Sequence, residues 1–129
     1  MVSYYKAKFV DLSFDEAIQK ATDELKKVGF GVLTEIDVKE TLKKKIDVDF
    51  RNYKILGACN PKFAHQALTA EDKIGVLLPC NVIVQETEDG KVEVAIMNPA
   101  EAMSVVGNEE LIPIASEVNN LLETALENI

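Results

Sequence analysis

Apolar residues recur along the chain with two different periods, and the switches between them mark its elements. "YYKAKFV", residues 4–10, is rich in aromatic and β-branched residues and reads as a first strand. In "SFDEAIQKATDELKKVG" the period changes, and Phe14, Ile18, Ala21 and Leu25 form a helical stripe. Ser13 is its cap, Glu16 completes a capping box, and Lys26 and Lys27 suit the negative end of the helix dipole. Gly29 is the natural terminator. "FGVLTEI" then reads as a second strand, and Asp37 caps a short helix, "VKETLKKKI", with Val38, Leu42 and Ile46 along one side. "YKILGAC" is a third strand. Asn60-Pro61 opens another short helix, because asparagine caps and proline suits the first helical position.

The second half continues in the same manner. "IGVLLPCNVIVQET", residues 74–87, reads as one long strand region, with Pro79 marking a bend or an edge. "EDGK" carries an Asp-Gly hairpin turn into a fifth strand, "VEVAIM". Asn98-Pro99 repeats the capping device ahead of "AEAMSVVG". The closing "NEELIPIASEVNNLLETALENI" has the strongest helical period, through Leu111, Ile114, Ala115, Val118, Leu121, Leu122, Ala125 and Ile129. Pro113 belongs in or near its first turn, since it cannot donate a helix hydrogen bond.

This order predicts an α+β fold: a mainly antiparallel sheet of about five strands, two main helices on one face, and short helices besides. The 129 residues suit one domain, 1–129. The echo between "CNPKFAHQA" and "MNPAEAMSV" reads as a reused turn and not as a repeat. The last helix has the sheet as its default partner. Its stripe is broad enough to leave apolar surface for a twin subunit, so a homodimer is expected.

Charge narrows the function classes. The chain holds 14 basic and 22 acidic side chains, a net charge of −8. Residues 1–54 are nearly balanced, with eleven basic and ten acidic groups, while residues 55–129 carry three and twelve. Such a surface repels phosphate backbones, so no nucleic-acid partner is expected. The "KKK" of Lys43 to Lys45 is flanked by acids and reads as a solvated helix face. There is no run of roughly 18 apolar residues, so no membrane span is expected. The N-terminus lacks the apolar core of a signal peptide, which points to the cytoplasm, where thiols stay reduced.

Candidate chemistry gathers in "GACNPKFAH" and "LLPCN", which contain both cysteines and the one histidine: Cys59, His65 and Cys80. Their spacings of 6 and 15 match no four-ligand structural zinc pattern. A three-ligand site with an open position is the one metal arrangement they could build, and no metal or cofactor is expected. Cys59 precedes a helix start, where a thiol can be made reactive. Yet both cysteines sit in apolar strands, where free cysteine is commonly core material. Glycine-rich phosphate loops and the serine-hydrolase and zinc-protease motifs are absent, so no catalytic residue is named. The candidate pocket or thiol site is Cys59, Asn60, His65 and Cys80.

The runs "GFGVLTEIDV", "YKILGACNP", "AHQAL", "GVLLPC" and "MNPAEAM" resemble the family catalogued as domain of unknown function 302, across nearly the whole chain. Gly57, Cys59, Asn60, Pro61, Ala64, Leu78, Pro79 and Cys80 are the matching motif positions. The resemblance implies a fold like the half-repeat of the TATA-binding protein, with a curved antiparallel sheet backed by helices, and a dimer. It carries no warrant for DNA binding. It also associates some relatives with sulfur or thiol metabolism. Two readings follow: a dimeric module that binds a small ligand or a protein, or a thiol protein that handles redox equivalents or sulfur through Cys59 or Cys80.

Overall fold

The helix signals are realised atom by atom. In the computed structural model, which describes residues 3–129, helix α1 spans Phe14–Lys27. The Ser13 hydroxyl accepts the Glu16 amide at 3.1 Å, and the Glu16 carboxylate accepts the Ser13 amide at 3.0 Å. A cap of this kind stabilises by about 1 kcal/mol. At the other end the amide of Gly29 donates to the Lys26 carbonyl and that of Phe30 to the Leu25 carbonyl. This paired closure places Gly29 at φ +89°, a left-handed conformation that glycine adopts without strain. Phe30 and Leu25 then pack into the same core.

Five strands form one sheet: β1 (Tyr5–Val10), β2 (Gly31–Asp37), β3 (Tyr53–Cys59), β4 (Cys80–Glu86) and β5 (Val92–Met97). Their order is β1-β5-β4-β3-β2, and every neighbouring pair is antiparallel. The α+β expectation therefore holds. Helix α1 carries the chain from one sheet edge to the other. Four strands then follow as consecutive neighbours, and β5 closes against β1. Helix α2 (Val38–Ile46) lies between β2 and β3, and α3 (Pro61–Ala70) between β3 and β4. Helix α4 (Pro99–Ala102) and a 3-10 turn, Met103–Val106, lead to α5 (Leu111–Glu127).

Alternation along the strands gives the sheet two faces. One presents Leu56, Ala58, Cys80, Val82, Val84, Val92, Val94 and Ile96 to α1 and α5, forming the main core with Ala17, Ala21, Leu25, Leu122 and Ala125. Burying this apolar surface, at about 25 cal/mol per Å², is the chief stabilising term. The broad stripe of α5 is used inside the molecule: Leu111, Ala115, Val118, Leu122 and Ala125 are buried, and Ile114, Leu121 and Ile129 pack against the core. Helix α2 forms where its pattern says, capped by Asp37, but buries none of its residues.

One element departs from its pattern. Residues 74–87 do not form a single strand. Asp72–Leu77 is a 3-10 helix, and β4 starts only at Cys80. Ile74 enters the core, whereas Val76 is 86% exposed, which a buried strand would not allow. Pro79 has no amide to donate, so the ladder begins after it. The peptide between Leu78 and Pro79 is cis. None of the helices among the described residues is long and apolar enough to cross a membrane. Met1 and Val2, at the start of the N-terminal stretch considered above, lie outside the described residues.

Candidate functional site

Strand direction explains where the two Asn-Pro pairs meet. β3 and β5 run the same way on either side of β4, so both end at the edge where β4 begins. Asn60-Pro61 and Asn98-Pro99 therefore start α3 and α4 from one end of the sheet, with Cys80 between them. The Asn60 side chain caps α3 through the Phe63 amide at 3.5 Å, and Asn98 caps α4 through the Glu101 amide at 3.4 Å. The repeated Asn-Pro pair is a reused turn that builds two walls of one chamber.

That chamber is a cavity of about 390 Å³. Phe30, Leu33 and Thr34 of the β2 end, and Ala58, Cys59 and Asn60 of the β3 end, form its floor. Phe63, Ala64, Ala67 and Leu68 of α3 cover one side, and Ile114, Ala115 and Val118 of α5 another. Leu78, Pro79, Cys80, Pro99, Met103 and Gly75 complete it. Its lining holds no charged side chain among the described residues. Polar atoms are confined to the Thr34 hydroxyl, the Asn60 amide and the two thiols, apart from the backbone. Leu33 and Leu68 are exposed on their outer sides, so the mouth is apolar as well.

The structure brings three of the four sequence candidates together. Cys80 stands directly across the ladder from Ala58, one residue before Cys59. Both cysteines are free thiols; Cys80 is buried and Cys59 half-buried. Burial, reinforced by the nearby Cys59, pushes the Cys80 thiol up to about 11, so it is protonated at neutral pH. His65 does not join them. Ala64, Ala67 and Leu68 point α3 at the cavity, and His65, about 100° further round the helix, faces solvent. Its backbone carbonyl accepts the Thr69 hydroxyl at 2.7 Å. Among the described residues, no group of three or more His, Cys, Asp or Glu side chains is placed to hold a metal ion.

Two glycines hold the walls close. A Cβ on Gly57 would sit 2.2 Å from Thr34 Oγ1 and 2.8 Å from Pro79 Cγ. A Cβ on Gly29 would sit 2.9 Å from Asn60 Nδ2. Leu78 and Pro79 have a second surface. They line the cavity on one side and, on the other, a groove of about 610 Å³ along the uncovered sheet face. Thr34, Phe63, Ala67, Met103 and Ala115 were not singled out as site residues. They come from separate stretches: Thr34, Ala67 and Met103 lie in runs that carry the family resemblance, Phe63 follows the Asn60-Pro61 helix start and Ala115 belongs to the stripe of the last helix, but no spacing in the sequence joins them into one cavity.

A five-stranded antiparallel sheet with helices on one face and an apolar chamber at its strand ends defines the class as a small α+β domain. The chain belongs to the DUF302 family, described as a domain of unknown function, which matches residues 6–129. A crystal structure of an uncharacterized conserved protein DUF302 from Bacillus stearothermophilus superposes with a TM-score of 0.92 at 27% identity, covering 98% of each chain. No curated protein matches the chain. Of the motif positions that carry the family resemblance, Cys59, Asn60, Ala64, Leu78, Pro79 and Cys80 line the cavity, and Gly57 lies against Pro79.

Proposed function

We propose that the chain is a small-ligand-binding module, one domain over residues 1–129, that works in the cytoplasm as a homodimer and without nucleic acid. The cavity of about 390 Å³ with an uncharged lining carries this reading. Pockets of roughly 300–1,000 Å³ are the usual size for small organic ligands. The lining selects a neutral, mostly apolar molecule, because a charged group brought inside would meet no countercharge. The Thr34 hydroxyl and the Asn60 amide are the groups available to orient it.

The test uses the neutral fluorophore N-phenyl-1-naphthylamine. The wild-type protein is expected to bind it at micromolar concentration with a rise in fluorescence and in Tm. Ala64→Phe, which places a ring in the mouth, is expected to weaken binding at least tenfold while the far-UV circular dichroism stays unchanged. No binding by the wild type, or equal binding by the folded variant, refutes the reading.

The alternative is a thiol-based redox or sulfur-handling protein that uses Cys59 and/or Cys80. One observation favours it: both thiols border the same cavity, close enough for Cys59 to raise Cys80. Within this reading Cys59 is the reactive group, since a buried thiol at about 11 supplies almost no thiolate at neutral pH. Alkylation of the native protein with iodoacetamide at pH 7.5, followed by intact mass, decides. Absence of any adduct on Cys59 removes the thiol reading.

A further inference from the structure

Helices α1 and α5 cover one face of the sheet, and the registers show what the other face carries. Ala7 lies across from Ala95, Ala95 from Ile83, Ile83 from Ile55, and Ile55 from Ile36. An apolar row therefore runs across all five strands, with Ile83 at its centre. One neighbouring row contains Phe9, Glu93, Gln85 and Tyr53 in register. In that row Arg51 donates to Gln85 at 2.9 Å, and Gln85 donates to Glu93 at 2.8 Å. Tyr5 and Phe9, at opposite ends of β1, and Ile36 in the central row are about half exposed, and Val76, beside the end where β4 begins, almost fully so.

We infer that this face is the surface on which a second copy of the chain docks. The inference rests on the homodimer reading above and gives it an interface. Three features select a copy as the occupant. The first is charge: on an acidic protein of net charge −8, this face has an uncharged central row, with Arg51 and Glu93 beside it and Lys91, paired with Asp89 at 3.8 Å, over the Phe9 ring at its rim, so its charges nearly balance. The second is shape. The row is small on the β1 side (Ala7, Ala95) and large on the β2 side (Ile55, Ile36). A twofold axis along β4 sets Ala95 of one copy over Ile55 of the other, so small meets large. The same axis sets Glu93 over Tyr53, against whose ring Arg51 is held at 5.6 Å, so that unlike charges meet. An axis across the strands would match alanine with alanine and isoleucine with isoleucine, and would satisfy neither.

The third is area. Five strands at about 4.8 Å and about five residues at 3.4 Å span roughly 24 by 17 Å. With the flanking side chains this is roughly 600 Å² per copy, or about 1,200 Å² in total, the lower end of specific interfaces. An interface of this size is expected to be reversible.

Sedimentation velocity of the full chain from 1 to 200 µM tests the inference. The wild type is expected to shift from monomer to dimer across that range. Ile83→Asp, at the centre of the row, is expected to weaken association at least fiftyfold. Ile112→Asp, at an exposed site on α5, should leave it unchanged. Glu93→Arg and Arg51→Glu should each weaken it, and the double variant should restore it. Circular dichroism and N-phenyl-1-naphthylamine binding confirm that each variant is folded. A wild-type dimer that Ile83→Asp leaves intact overturns the interface and spares the homodimer reading. A wild type that stays monomeric at 200 µM overturns both, and a shift seen only when duplex DNA is added does the same.

Discussion

Gly57→Ala is the sharpest probe of how the cavity wall is built. The added methyl would meet Thr34 Oγ1 at 2.2 Å, Pro79 Cγ at 2.8 Å and Thr34 Cβ at 3.5 Å. Carbon atoms normally rest about 3.5–4.0 Å apart, so the third contact is ordinary and the first two are not. They differ in how they can relax. Thr34 is exposed, and its hydroxyl can rotate away. Pro79 is a ring fixed to the backbone just ahead of β4, and it yields only if strand and ring move together. The persistent overlap, roughly 0.7 Å, must be relieved by a backbone shift of the kind that costs 1–3 kcal/mol in a packed core. We expect about 2 kcal/mol. For a chain of this length that lowers Tm by roughly 8 °C. Urea and thermal unfolding measure it, with Thr34→Ala as the second arm of a double-mutant cycle. Since the hydroxyl moves in any case, Thr34→Ala should recover less than half of the loss. A Gly57→Ala protein within about 0.5 kcal/mol of wild type, below any named destabilising mechanism, refutes the reasoning. Full rescue by Thr34→Ala would show that Pro79 gives way freely, which refutes it as well.

Two further predictions concern charge. The Cys80 thiol is raised from 9.0 to about 11, so its stabilising contribution is complete below pH 9 and is lost as pH rises to about 11. In the unfolded chain the thiol ionises first, and that favours unfolding by about 2–3 kcal/mol across the window. Urea titrations of wild type and Cys80→Ala from pH 8 to 11 should therefore converge, and parallel curves would count against a buried neutral thiol. Glu24 is held below the ordinary carboxylate value by hydrogen bonds from Lys27 at 2.8 Å and Lys20 at 3.0 Å. Its contribution is present above pH 4.5 and lost as pH falls through the lowered value, so Glu24→Gln should flatten the acid limb of the stability curve; an unchanged limb would show that the pair does not act.

Most of the fold was legible because local signals and tertiary demands agree. Ser13, Asp37, Asn60 and Asn98 all cap helices as their side chains suggest. Four strands lie within a residue of where their patterns place them. The failure at 74–79 is also physical. A short apolar run has no period that separates strand from tight helix, and here the exposed Val76 and the amide-free Pro79 decided for a 3-10 turn followed by a late strand start. The site was half legible. Cys59, Asn60 and Cys80 stand at strand ends, where motif and topology coincide. His65 misled because nearness in sequence to Cys59 is not nearness in space once a helix turns it outward. The open sheet face was hidden for another reason. Alternation says that one set of strand residues faces a core, but not whether the other set, when apolar too, faces water or a neighbour.

Leu78 and Pro79 have a cavity on one side and the open sheet face on the other. This turns a wall into a coupling element. A molecule that fills the chamber and displaces that dipeptide alters the rim on which a second subunit would rest. Thermodynamic reciprocity then requires self-association to change the molecule's affinity by the same factor. Occupancy and assembly state become two readings of one equilibrium, so a titration followed by sedimentation would report on both.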